Sequence, residues 1–81
     1  MFEKNINKIV GIKQCIKFLK ESTDVIGAKV YIAEDADKKL LDPLIKIAEE
    51  KNSEIHYIAT MKDLGQLCNI DVGAAAAVLN D

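Results

Sequence analysis

Eighty-one residues make one small domain, residues 1–81, and a chain of that length can only just build a core of its own. With 49% apolar and 30% charged residues the composition is that of a folded protein, which excludes a disordered chain. The net charge of −2 conceals a division: residues 1–20 carry five lysines against one acid, Glu3, and residues 21–81 carry six lysines against twelve acids, so a +4 end is joined to a −6 body.

In chain order, the N-terminus Met1-Phe2-Glu3-Lys4-Asn5 has neither the basic start nor the long apolar centre of a signal peptide. No apolar run approaches the roughly 20 residues of a membrane span. The expectation is a cytoplasmic protein with no membrane partner. Ile9-Val10 is a short strand, and Gly11 then opens a helix over Ile12–Glu21 whose Ile12, Cys15, Ile16, Phe18 and Leu19 follow helical spacing. Lys13, Lys17 and Lys20, at i, i+4 and i+7, share the opposite face. Ser22-Thr23-Asp24 breaks that helix, and Lys29–Ala33, short and nearly all apolar, predicts a strand of a sheet covered on both sides.

Glu34-Asp35-Ala36-Asp37 reads as a turn with Asp37 as the N-cap of a helix running to about Lys51. Leu40, Leu41, Leu44, Ile45, Ile47 and Ala48 are its expected inward residues, and Pro43 lies near its start. Asn52-Ser53 ends it, and Glu54–Ile58 is a third strand. Thr60 caps a short helix from Met61 to Cys68, which Asn69 closes in a left-handed conformation. Ile70-Asp71-Val72-Gly73 is a loop, and a strand of small residues runs from Ala74 to Leu79. The order β-α-β-α-β-α-β predicts an α/β fold, a three-layer α-β-α sandwich around a four-stranded mixed sheet.

Catalysis has no visible home in this pattern, so an enzyme is not expected. His56 is a lone histidine in an edge-strand pattern. Cys15 and Cys68 are too few and too far apart for a metal or redox motif and read as small buried apolar residues. Glu34, Asp35 and Asp37 lack the spacing of a calcium loop and read as a solvated cap. No cofactor is expected. The stretch that stands out is Gly11-Ile12-Lys13-Gln14-Cys15-Ile16-Lys17, where lysines and a glutamine surround the positive end of a helix. On residue types alone, a solvated lysine face with incidental apolar loop residues is the more economical reading. The other is a nucleic-acid surface, in which lysine and glutamine reach base edges while Ile70 and Val72 seat an unstacked base, a mode typical of RNA and not of duplex DNA.

Three strings weigh toward the second reading: Gly11 to Lys17, Ala33 to Asp37, and Lys62-Asp63-Leu64-Gly65-Gln66-Leu67-Cys68-Asn69-Ile70-Asp71-Val72-Gly73-Ala74-Ala75-Ala76. Together they resemble the L-seven-Ae/L-thirty-e superfamily of kink-turn RNA-binding ribosomal proteins, and most of all its small L-seven-Ae-like members from Firmicutes. The resemblance implies a protein that binds sharply bent RNA with tandem sheared G·A pairs; the expected partner is structured RNA, ribosomal RNA among the candidates, and the expected state is a monomer. It also implies roles: Gly11 lets the backbone approach the RNA, Lys13 and Gln14 read the sheared guanines, and Lys17 supports the backbone contact. Asp37 and the loop Ile70-Asp71-Val72 hold a flipped-out nucleotide, with Ala74 and Ala75 small enough for the loop to pack. The chain departs from the family pattern at Ile12 for threonine, Met61 for lysine, Asn69 for glycine, and at the acidic Glu21-Ser22-Thr23-Asp24 turn. It also contains no arginine. The charge reversal at Glu21 and Asp24 sets up the alternative expectation, a protein-interaction module that keeps the fold with weakened RNA affinity.

Overall fold

Segments of mixed hydrophobic period become alternating strands and helices. The computed structural model describes residues 8–21 and 28–80. Their order is β1 (Lys8–Val10), α1 (Ile12–Glu21), β2 (Lys29–Ala33), α2 (Lys38–Glu50), β3 (Glu54–Ile58), α3 (Met61–Leu67) and β4 (Ala76–Leu79). Lys4 and the expected break at Ser22-Thr23-Asp24 lie outside the described residues.

The helix ends follow from local chemistry. Asp37 is extended and its Oδ1 accepts the Lys39 N–H at 2.9 Å, satisfying one of the orphan donors of α2. Thr60 does the same for α3, its Oγ1 accepting the Asp63 N–H at 3.0 Å. Beyond the other ends, Asn52 and Asn69 take the left-handed conformation, with φ of 57° and 62°. β4 begins at Ala76 and not at Ala74, because the Ala74 N–H turns away to the Met61 carbonyl at 3.0 Å.

The sheet order is β1-β4-β2-β3. β2 and β3 are parallel, while β4 runs antiparallel to both β1 and β2. The last strand in the sequence is therefore interior, and all four of its residues are buried. Since successive side chains of a strand point to opposite faces, burial of all four requires a layer on each side. Alanine at two of these positions keeps the covering helices close.

Paired residues share a face, which separates the layers. One face carries Val30, Val78 and Ile55, and then Ile32 and Tyr57. There α1 and α2 pack against each other and fill the core with Cys15, Leu19, Leu41, Leu44 and Ala48. On the other face lie Tyr31, Ala77 and His56, with α3 packed over β2, β3 and β4 through Leu64. Lys8 on that face donates its ammonium hydrogen to the Cys68 carbonyl at the end of α3.

One inward expectation fails. Leu40 is 60% exposed, because the buried stripe of α2 centres on Leu41, Leu44, Ile45 and Ala48 and Leu40 falls at its margin. Ile47, on the same margin two turns further on, is half-buried. Both cysteines are free and fully buried, as expected of small apolar residues. Burial and the neighbouring Cys68 push the Cys15 thiol up to about 12, and burial raises that of Cys68. His56 lies on the edge strand, stacked on Tyr31 with ring centroids 5.0 Å apart and paired with Glu54 at 2.9 Å. That bond holds the Glu54 carboxyl below its ordinary range.

Candidate nucleic-acid interface

Strand direction assembles the site. β1, β2 and β3 run one way and β4 the other, so the chain after β1, after β2, after β3 and before β4 meets at one end of the sheet. Backbone bonds pin the four segments together there. The Gly11 N–H donates to Ala76 O at 2.9 Å, Ala33 N–H to Ala75 O at 2.9 Å, and Glu34 N–H to Ile58 O at 2.8 Å. Gly11 to Lys17, the Glu34–Asp37 turn and the Ile70–Ala75 segment thus share one edge, as their separate positions in the sequence do not reveal.

The first wall is the start of α1. Gly11 has φ 108°, a backbone state that side chains rarely adopt, and the Gln14 amide lies over its bare α-carbon. A Cβ at position 11 would collide with the Gln14 Oε1. Lys13, Gln14, Lys17 and Lys20 are exposed along the outer face of α1. Lys13, Lys17 and Lys20, with Ile16 and Glu21, line a shallow groove of about 270 Å³. Among the described residues none of these lysines has an ion-pair partner, the ion pair present being His56 with Glu54. Their charge faces solvent, together with the unpaired N–H groups of the first helical turn.

The second wall is built from the Asp37 turn and the loop after α3. The Asp35 carboxylate accepts the Met61 N–H at 2.7 Å, and the Met61 carbonyl accepts the Ala74 N–H at 3.0 Å. Met61 is therefore the joint between the turn and the loop, with its side chain part-exposed beside them. The loop is anchored by Ile70 N–H to Gly65 O at 3.1 Å. Gly65 is buried within α3, and a Cβ there would overlap the Val72 carbonyl. The helix can carry this loop against its flank only because position 65 has no side chain.

The proposed contact residues do not all reach the surface. Val72 is 70% exposed and Asp71 is exposed, as is Asp37. Ile70 is only half-buried and packs against the core, so the two apolar loop residues expected outside divide into one anchor and one exposed side chain. Ala74 is 4% exposed and its N–H is spent on Met61, so its contribution is to loop packing. Sequence reasoning assigned no site role to Gly65, and it read Asp35 only as part of a solvated cap. A glycine inside a helical pattern was the available signal for Gly65.

Two of the three acids of this turn are occupied as helix caps, Asp35 on Met61 and Asp37 on Lys39, while the Glu34 carboxylate is not. Among the described residues no group of three or more histidine, cysteine or acidic residues could hold a metal ion, and no helix is long and apolar enough to cross a membrane. What the arrangement can do is present cationic and amide donors on one wall and an apolar side chain on the other. That pair suits phosphate, base edges and the face of an unstacked base.

Comparison with known proteins bears on this arrangement. The model of the ribosomal protein L7Ae/L30e/S12e/Gadd45 family matches residues 3–81. The RNA-binding protein TTE2299 of Caldanaerobacter subterraneus subsp. tengcongensis is 44% identical over 70 residues, covering 86% of this chain and 82% of that protein. The RNA-binding protein YbxF of Geobacillus stearothermophilus is 38% identical over 71 residues, covering 88% of this chain and 83% of the relative. Among solved structures, the Giardia lamblia 15.5kD RNA binding protein superposes with a TM-score of 0.78 at 24% identity, over 91% of this chain and 60% of that one. At that identity the likeness concerns the fold.

Proposed function

The chain belongs to the ribosomal protein L7Ae/L30e/S12e/Gadd45 family, and from that premise we propose that it is a non-enzymatic RNA-binding protein that recognises kink-turns. The observation that carries the proposal is the convergence of the α1 donors and the exposed Val72 loop at one end of the sheet. Relatives named RNA-binding proteins support the same reading.

In this reading a bent RNA lies across the sheet end. Gly11 brings the backbone of the helix start close to it, and Lys13 and Gln14 donate to the guanine edges of the sheared pairs, where bidentate and charge-assisted contacts discriminate bases. Lys17 neutralises a phosphate one turn further along α1. Opposite them, the Asp37 turn and Val72 enclose a nucleotide turned out of the stack, with Ile70 and Ala74 holding the loop in place. The protein acts in the cytoplasm as a monomer on structured RNA, with ribosomal RNA among its targets and DNA not.

Calorimetric titration against a kink-turn hairpin, and against a hairpin whose sheared G·A pairs are replaced by Watson–Crick pairs, tests this. Binding to the first with loss on the second is expected, and equal or absent binding to both would end the claim. The alternative of a protein-interaction module rests on Glu21, exposed in the groove beside Lys17 and Lys20. It requires both hairpins to fail.

A further inference from the structure

A second concave surface lies around the corner from the lysine face of α1, between α2 and the edge strand β3. It is a recess of about 500 Å³ with a floor of Ile32, Ala33, Leu41 and Ile45 and a rim of Glu34, Lys38, Asp42 and Tyr57. Tyr57 is 57% exposed, a large aromatic surface left in water. The side chains of Glu34, Asp42, Lys38 and Tyr57 have no hydrogen-bond or ion-pair partner among the described residues. Among the described residues β3 pairs only with β2, so one row of its backbone N–H and C=O groups has no partner within the sheet.

We propose that this recess and the β3 edge form a docking site for an extended basic peptide segment of a protein partner. The segment adds a strand along Glu54–Ile58 and lays an arginine or lysine side chain over the Tyr57 ring, between the carboxylates of Glu34 and Asp42. Strand addition supplies directional backbone hydrogen bonds, and pockets for alternate side chains supply the selectivity. A cation is the complementary occupant because two unpaired carboxylates face one ammonium and the aromatic face attracts positive charge. The apolar floor accepts the methylene stem of such a side chain. The same carboxylates disfavour a phosphate backbone, which separates this surface from the lysine face of α1. The two surfaces meet at the Glu34–Asp37 turn, so RNA and peptide occupy adjacent and different walls.

The test is a titration of the 15N-labelled full chain with the acetylated peptide Arg-Thr-Val-Arg-Val-Thr and with its counterpart carrying glutamate for both arginines, followed by amide chemical shifts. Shifts confined to Glu54–Ile58, Glu34 and Lys38–Asp42, seen only with the arginine peptide, are expected. Tyr57→Ala and Asp42→Asn, both at exposed positions, each weaken that binding about threefold to tenfold. Equal response to both peptides, no response, shifts centred on α1, or insensitivity to both substitutions would each overturn the proposal. A poly-uridine oligonucleotide moving the same β3 and α2 resonances would also overturn it, by giving the recess to RNA. None of these readouts depends on kink-turn binding, so the two proposals stand or fall separately.

Discussion

Lys13 and Gln14 sit in the first turn of α1, exposed and with no salt bridge to restrain them, while Gly11 lets the Gln14 amide fold back over the helix start. Removing either side chain takes donors away without disturbing the core. Lys13→Ala and Gln14→Ala are each expected to cost about 1–3 kcal/mol of kink-turn affinity, the scale of one base-edge contact, with thermal midpoints unchanged. Calorimetry beside a melting curve checks both halves. The cysteines behave in the opposite way. Cys15 is protonated up to about pH 12 in the folded chain against 9.0 for a free thiol, so the folded state holds its proton where the unfolded state has lost it. The stabilisation is complete below pH 9.0 and drains away as pH rises toward 12. Urea midpoints are expected to fall over that window, and to fall less in Cys15→Ala. Neither thiol should react with a disulfide reagent at pH 8 until the chain unfolds.

At the scale of elements, α3 and its following loop form one unit, held by Ile70 to Gly65 and by Ala74 to Met61. Alanine is ordinarily the better helix former by about 1 kcal/mol. At position 65 the overlap with the Val72 carbonyl, a backbone atom with little freedom to yield, outweighs it. Gly65→Ala is expected to destabilise the chain by about 1–3 kcal/mol and to weaken RNA binding, read by denaturant melts and titration together. A gain in stability would show that the loop is not packed as described. α2 contains a substitution of opposite sign. Pro43 is the sixth residue of the helix, past the first turn, so its missing N–H leaves the Lys39 carbonyl without its helical donor on an exposed face. Pro43→Ala is expected to raise stability by about 1–3 kcal/mol, seen as a higher thermal midpoint.

For the molecule as a whole, a basic helix face is set on an acidic body, and the chain has no arginine with which to fork a phosphate. Affinity then leans on lysine contacts and counterion release, and it should fall steeply with salt. In the proposed reading Lys20, on the same face as Lys13 and Lys17 and two turns beyond Lys13, meets a phosphate and no base. Lys20→Ala is expected to lower the slope of log K against log salt by roughly 1 with little change in preference for the sheared pairs, measured by titration across salt concentrations. The sequence by itself determined the seven elements, the caps at Asp37 and Thr60, the left-handed Asn69 and the common face of the three lysines. Each of these is a matter of periodicity or of side chains bonding their own local backbone. It could not place Leu40, whose exposure depends on which neighbours lie over the margin of α2. Nor could it show that Ile70 turns inward while Val72 turns out, or that Gly65 makes room for the loop carbonyl. Only the tertiary structure decided those points, because they depend on packing between segments far apart in the chain. The insertion of β4 between β1 and β2 brings those segments together at one end of the sheet.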